Sequence, residues 1–414
     1  MEIKQIKAKK IFDSRGRLTL EVGLQTEGGI FPAAVPSGTS VGIFEAKSLK
    51  AAEAIKNINE VIGPALKKKK WANQKELDEF LISFEGTPDK SRLGANALLA
   101  VSLAASRAFA RQEGMSLFQY LAKIFQGTAK KISLPKPCFL MIEGKRHAVG
   151  FGCKLDVQEF MVVPQEKDFG RNLQMGREIY QTLGKFLGKE FGRRKVKKGL
   201  EGGYSGPFKK TEEALDFIRR VVAEIGWLSQ VRFYLDFAAS EFYEEGKYKI
   251  DGREMTVEET VAFYKNLAAK YSLTMLEDPF SEDDWKAWRK LKSFSELLVI
   301  GDDLTVTNPA RIKKAAKEGI CNAVILKPNQ IGTVSETLEA ARLAKSFGWQ
   351  IIVSHRSGET KDDFIADLAV GCGADFIKSG APAPPERMAK YNRLLAIEKQ
   401  LVIEENGGHN FFAF

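Results

Sequence analysis

Short apolar runs that stop abruptly at an ionisable side chain recur through the last third of the chain. Residues 231–235 stop at Asp236, 274–276 at Glu277, 297–301 at Asp302, 323–326 at Lys327, 351–354 at His355-Arg356-Ser357, and 374–377 at Lys378. Runs of this length bounded by polar residues read as buried strands. Between them lie segments of helical period, such as Pro309–Glu318 and residues 335–347. Strand followed by helix, repeated six times, predicts a parallel sheet. In a closed parallel barrel the strand C-termini share one mouth, so these six endings would converge on one polar site.

Upstream the pattern differs. Residues 6–11, 19–24 and 30–35 are short β-like runs, punctuated by Ser14-Arg15-Gly16 and Gly28-Gly29, which predicts a three-stranded meander. The period then turns helical over 51–62, 74–84, 94–113 and 116–125. Residues 127–131 are polar, and Leu134-Pro135-Lys136-Pro137 resists regular structure. We therefore expect a small N-terminal α+β domain over 1–126 and a second domain, the α/β barrel, over 134–414. Strands at 138–142 and 160–163, with helices at 173–191 and 211–225, precede the six repeats and bring the strand count to eight.

Composition narrows the function classes. With 414 residues and 44% hydrophobic content the chain can bury a large core. No apolar run approaches membrane-span length and the N-terminus lacks a signal-peptide pattern, so we expect a soluble, cytoplasmic protein with no membrane partner. Cys138, Cys153, Cys321 and Cys372 show no paired spacing. The net charge of +10 suits anionic substrates as well as nucleic acid. Its basic clusters, Lys67–Lys70 and Arg193-Arg194-Lys195 with Lys197-Lys198, interleave no aromatics in a nucleic-acid motif. They read as solvated surface, and RNA association has no further support.

Asp236, Glu277 and Asp302 end three successive strands. Carboxylates converging in a barrel mouth repel one another unless a cation sits among them, and an all-oxygen set without Cys or His favours Mg²⁺. Lys327 and Lys378 face the same mouth, where desolvation and a nearby metal would lower an amine's pKa enough for a general base. His355-Arg356-Ser357-Gly358 offers a bidentate donor, a hydroxyl and a turn suited to a phosphate or carboxylate. Ser37-Gly38-Thr39-Ser40-Val41-Gly42 is a small-residue loop able to approach a phosphate or metal. Gln158-Glu159 and Glu201-Gly202-Gly203 each place a carboxylate beside a strand end or turn.

These segments in this order resemble the enolase family. The resemblance rests on Phe12 through Gly16, Gln158 through Met161, Asp236 with Ala238 through Phe242, and Glu277-Asp278-Pro279-Phe280. It continues through residues 301–308, Lys327 with Asn329 through Gly332, residues 354–360, and Lys378 with Gly380-Ala381-Pro382. It implies a modified eightfold βα barrel that begins β-β-α-α, carrying a smaller N-terminal domain, and the dehydration of 2-phosphoglycerate to phosphoenolpyruvate. It further implies two Mg²⁺ ions per active site, a phosphorylated small-molecule substrate and at least a homodimer.

Carried over by position, the resemblance makes Lys327 the base and Glu201 the acid, supported by Glu159. Asp236, Glu277 and Asp302 hold the first metal, and Ser40 closes over the second and the phosphate. Arg356 and Ser357 bind phosphate, Lys378 pairs with the substrate carboxylate, and His147, Gln158 and His355 complete the pocket. The chain departs from the family pattern at Leu200, where an acid is usual, in Glu143 through His147, at Thr39 and Val41, and at Pro384-Pro385. All these departures lie in loops around the mouth, so a paralogue with weak or lost activity that binds or scaffolds is the competing expectation.

Overall fold

The computed structural model describes residues 1–38, 42, 44–127, 132–148, 153–292 and 296–406. The N-terminal meander forms as the three short runs predict. Gln5–Phe12, Leu18–Thr26 and Gly29–Ala34 make a three-stranded antiparallel sheet, with Phe12 opposite Leu18. Its buried residues Leu20, Val22 and Leu24 sit in one core with the Ala-rich helix Ala95–Gln112. Asn73 accepts from the amide of Glu76 to start Gln74–Glu85, and Gly86 ends that helix in the left-handed conformation.

Eight strands close the barrel in the order Lys136–Glu143, Glu159–Pro164, Val231–Asp236, Leu273–Glu277, Leu298–Gly301, Ala323–Leu326, Gln350–Ser354 and Phe376–Lys378, the last pairing in parallel with the first. The second strand runs antiparallel to both its neighbours. Periodicity carries no strand direction, which is why the sequence pattern alone did not reveal this reversal. Its consequence is that Glu159, at the start of its strand, reaches the same mouth as the ends of the others. In register, Glu143 lies opposite Glu159, Glu159 opposite Asp236, and Asp236 opposite Glu277. The barrel thus carries a continuous row of four acids across four adjacent strands.

Helices cover the barrel and start at recognisable caps. Asn308 accepts from Ala310 and Arg311 ahead of Pro309, and Thr333 accepts from Glu336. A small three-stranded sheet, Tyr243–Glu244, Lys247–Ile250 and Arg253–Met255, was not anticipated. Specific polar contacts join the meander side to the barrel, beside the shared apolar core. Arg107 pairs with Asp362 at 2.8 Å, Lys90 with Glu336 at 2.8 Å, and Ser37 exchanges backbone hydrogen bonds with Gly358 at 2.7 and 2.9 Å. The last of these bring Ser37 and Gly38 to the barrel mouth, where Gly38 meets Arg356.

Among the described residues, no helix is long and apolar enough to cross a membrane. The basic clusters are largely surface side chains. Lys69 and Lys70 pair with Glu76 and Glu2, and Lys198 lies over the rings of Tyr180 and Tyr204.

Candidate active site

The barrel mouth gathers Gln158, Glu159, Glu201, Asp236, Asp302, Lys327, His147, His355, Arg356, Ser357 and Lys378 around one cavity. Glu277 is fully buried beneath it. Ser40, and with it Thr39 and Val41, lies outside the described residues. Every other residue singled out from the sequence for this site therefore reaches it or supports it.

On one wall the acids hold lysines. Lys378 Nζ donates to Asp236 at 2.8 Å and to both Glu277 oxygens at 2.9 and 3.0 Å, and lies 3.1 Å from Glu159. Lys327 donates to Asp302 Oδ2, and Tyr234 donates to Glu277 Oε2. Burial alone would favour a neutral amine, as expected from the sequence. Asp302 outweighs burial at Lys327, and Asp236, Glu159 and Glu277 outweigh it at Lys378, so both pKa values are raised rather than lowered. The sequence argument set desolvation and a nearby metal against a lysine paired with a carboxylate, and that pairing is what these contacts form.

One ammonium cannot neutralise three carboxyls. Burial raises Glu159 and Glu277 well above the ordinary carboxylic range, with neighbouring acids adding to it and Lys378 opposing. Asp302, facing Lys327, is lowered despite its burial. Its Oδ1 is buried with no hydrogen-bond partner. Crowded buried carboxyls, an all-oxygen donor set and an orphaned carboxylate oxygen together fit a hard divalent cation. Asp278, Asp302 and Asp303 also lie within 4.8 Å of one another. Asp278, however, already accepts from the amides of Asp302 at 3.0 Å and Asp303 at 2.7 Å, so it shapes the loop that presents Asp302.

The rest of the cavity is lined largely by turns. His355 Nε2 lies 3.0 Å from Glu201 Oε2, while its Nδ1 meets Arg387 Nη1. Arginine can only donate, so Nδ1 is the acceptor and Nε2 carries the proton toward Glu201. Burial, reinforced by Arg387 and opposed by Glu201, pushes the His355 pKa down to about 3. His147 is likewise lowered by burial, and stands 3.9 Å from both Glu159 and Glu201. Burial works against the Glu201 carboxylate, but His355 and His147 outweigh it and its pKa falls well below the usual range. His355 Nε2 faces Glu201 Oε2 at 3.0 Å, and the Arg387 guanidinium adds a positive charge that also favours the carboxylate.

Arg356 donates to Glu45 at 3.1 Å and Asn329 at 3.0 Å, and Gly38 packs so closely on its guanidinium that a Cβ there would collide. Ser357 Oγ accepts from Arg15 at 3.3 Å. Gln158 donates to Asp236 at 3.3 Å. Arg387 donates to the carbonyls of Arg356 and Ser357, each at 2.7 Å.

The family model for the enolase N-terminal domain matches residues 3–121, and that for the enolase C-terminal TIM barrel domain matches residues 131–412. The chain belongs to the enolase family. Its fold is therefore the enolase one, a TIM barrel with a small N-terminal sheet domain, and the enolase-family barrel mouth is where its acids and lysines meet.

Several residues that shape this enolase-family site escaped the sequence reading. Glu143 follows an apolar run, residues 138–142, in the same way as the acids that were singled out, so the same signal could have found it. Arg387 sits in the first turn of Pro385–Glu405 with no distinguishing pattern. The unusual Pro384-Pro385 is what starts that helix, with proline at its first position, and the Pro384 ring packs against Gly202. Leu200 works through its backbone, donating to the His147 carbonyl at 3.1 Å and accepting from Arg387 at 3.4 Å. A leucine side chain leaves both contacts in place.

Proposed function

We propose that the protein is a lyase that reversibly removes water from 2-phosphoglycerate to give phosphoenolpyruvate. The observation that carries this reading is the convergence, in an enolase-family barrel, of Lys327 and Glu201 on one cavity. In this reading Lys327 takes the proton from C2, and Glu201 then assists departure of the C3 hydroxyl with Glu159 beside it. Glu159 and Glu201 titrate as a pair: burial, with neighbouring acids, raises Glu159, so Glu159 supplies the proton that Glu201 passes to the departing hydroxyl. Arg356 and Ser357 hold the phosphate, Lys378 the substrate carboxylate, and His147, Gln158 and His355 line the remainder.

Asp236, Glu277 and Asp302 would hold Mg²⁺, and Ser40 is assigned to a second ion by family resemblance. When bound, the metal supplies the positive charge that makes a doubly negative carboxylate tolerable, the arrangement named for the enolase superfamily as a general pattern. Asp302, which here holds Lys327, would be among the ligands, and the charge of a cation beside Lys327 would favour the neutral amine that can accept a proton. The same proposal includes a cytoplasmic homo-oligomer acting in glycolysis or gluconeogenesis.

Exchange of the C2 proton with deuterated solvent tests the division of labour. The native protein should exchange this proton, and Lys327→Ala should not. Glu201→Gln should lose dehydration by ~10²–10⁴-fold while retaining exchange, because the acid acts after C2 has been deprotonated. Exchange at the native rate in Lys327→Ala would assign the base elsewhere.

A further inference from the structure

Glu143 ends the first barrel strand, is fully buried, and is the member of the four-acid row that the proposed reaction does not use. Its side chain does not line the cavity. It turns instead toward the segment that carries Glu201. Glu143 Oε1 accepts from the Glu201 amide at 3.1 Å and from the Gly203 amide at 2.6 Å, and Oε2 lies 3.3 Å from the Glu201 amide.

The segment is shaped around this carboxyl. A Cβ on Gly199 would collide with the Glu143 carboxyl group, and one on Gly203 would come within 2.8 Å of Glu143 Cγ. Gly199 donates to the Gly203 carbonyl at 2.9 Å and closes the turn, and Gly202 takes a φ of +87° that side chains resist. Two close approaches and one left-handed residue within five positions bring the backbone of a short turn onto one acid. The groups facing Glu143 are Glu201 from the turn, His147 at 3.8 Å from the following loop, and Arg387 from the C-terminal helix. Burial and the nearby Glu201 raise the Glu143 pKa well above the usual range, and a protonated carboxyl can still accept both amides through one oxygen.

We propose that Glu143 is a positioning residue that clamps the turn from Gly199 to Gly203 and thereby sets where the Glu201 carboxyl stands. This rests on the reading of Glu201 as the acid of the dehydration. The clamp needs an acceptor, not a charge. A carboxamide should therefore serve, whereas a methyl group should not.

The test compares Glu143→Ala, Glu143→Gln and Gly203→Ala with the native protein, using 2-phosphoglycerate and Mg²⁺. Misplacing one catalytic group by about 1 Å can cost ~100-fold, so Glu143→Ala should lower kcat for phosphoenolpyruvate formation by about that factor. C2-proton exchange and KM should stay within about threefold of native, because neither depends on the position of the acid. Glu143→Gln should restore most of the lost turnover, and Gly203→Ala, which pushes the carboxyl aside, should resemble Glu143→Ala. Native turnover in Glu143→Ala would overturn the proposal, as would exchange and dehydration falling in parallel in the alanine and glutamine variants alike.

If the native protein neither exchanges nor dehydrates, the proposed reaction has failed, and the clamp is judged separately by amide hydrogen exchange. The Glu201 and Gly203 amides should then exchange faster in Glu143→Ala and at the native rate in Glu143→Gln. Equal rates in Glu143→Ala and the native protein would overturn the clamp.

Discussion

The two walls of the barrel mouth are held in different ways. Asp236, Glu277 and Lys378 are placed by strand pairing, with Asp236 opposite Glu277 and Lys378 opposite Ser354, and Asp302 and Lys327 directly follow strands of the same sheet. Glu201 and His147 lie outside the strands, and their setting comes from bonds supplied by Glu143 and Leu200, whereas His355 directly follows Ser354 and is tied to both walls, by its amide to Lys378 and by its ring to Arg387. A residue fixed by sheet register cannot move without disturbing its neighbours. One held by a side chain can keep its place when a different side chain takes over the bond. The described departures from the enolase pattern, at Glu143 through His147, Leu200 and Pro384-Pro385, all fall on the second wall. There Glu143 and Arg387 supply the ties that fix the acid's turn.

The contrast can be broken most severely at the strand wall. Asp302→Asn removes a carboxylate whose Oδ1 has no other partner and whose Oδ2 holds Lys327. Mg²⁺ affinity measured by titration calorimetry should fall by more than the ~10–100-fold typical of losing an outer-shell partner, with turnover falling alongside. Unchanged affinity would remove Asp302 from the metal set.

A smaller effect should appear in stability against pH on the turn wall. The folded His355 pKa of about 3 lies below the ordinary 6.5, so the unfolded chain binds more protons between those values. Its contribution is fully present above pH 6.5 and is lost as pH falls through the window, by up to ~1.4 kcal/mol per pH unit. His355→Gln should flatten the dependence of urea-unfolding free energy on pH between about 4.5 and 6.5 by a slope of that order. Equal slopes in the two proteins would contradict a neutral, buried imidazole.

The smallest change should come from Leu200→Asp. Leucine contributes its amide and carbonyl there, and aspartate keeps both. kcat should change by less than about tenfold, accompanied by a displaced pH optimum from the added charge beside Glu201. A hundredfold gain or loss would mean that the side chain at 200, and not the clamp from Glu143, governs the acid.

The strand wall was legible in the sequence because an apolar run that stops at an ionisable residue marks both a buried strand and the end facing the mouth. Asp236, Glu277, Asp302, Lys327 and Lys378 all carry that mark. The reversed direction of Glu159–Pro164 was not legible from periodicity, since alternation reads the same in both directions. Nor was the state of the lysines, which depends on which carboxylates meet them across the barrel. Arg387 was invisible for a related reason: it reaches His355 from the last helix, 32 residues away in sequence. Glu143 bore the mark and was passed over, because it ends a strand that lies outside the six repeats.

Formation of phosphoenolpyruvate from 2-phosphoglycerate, followed as Mg²⁺ is added to chelator-treated protein and then withdrawn by excess chelator, tests the central claim most directly. The account predicts no product without metal, turnover that rises and saturates as Mg²⁺ is added, and its loss on chelation. Product formed at an undiminished rate in excess chelator would contradict the metal site, and no product at any Mg²⁺ concentration would contradict the proposed reaction and favour a binding role for this barrel.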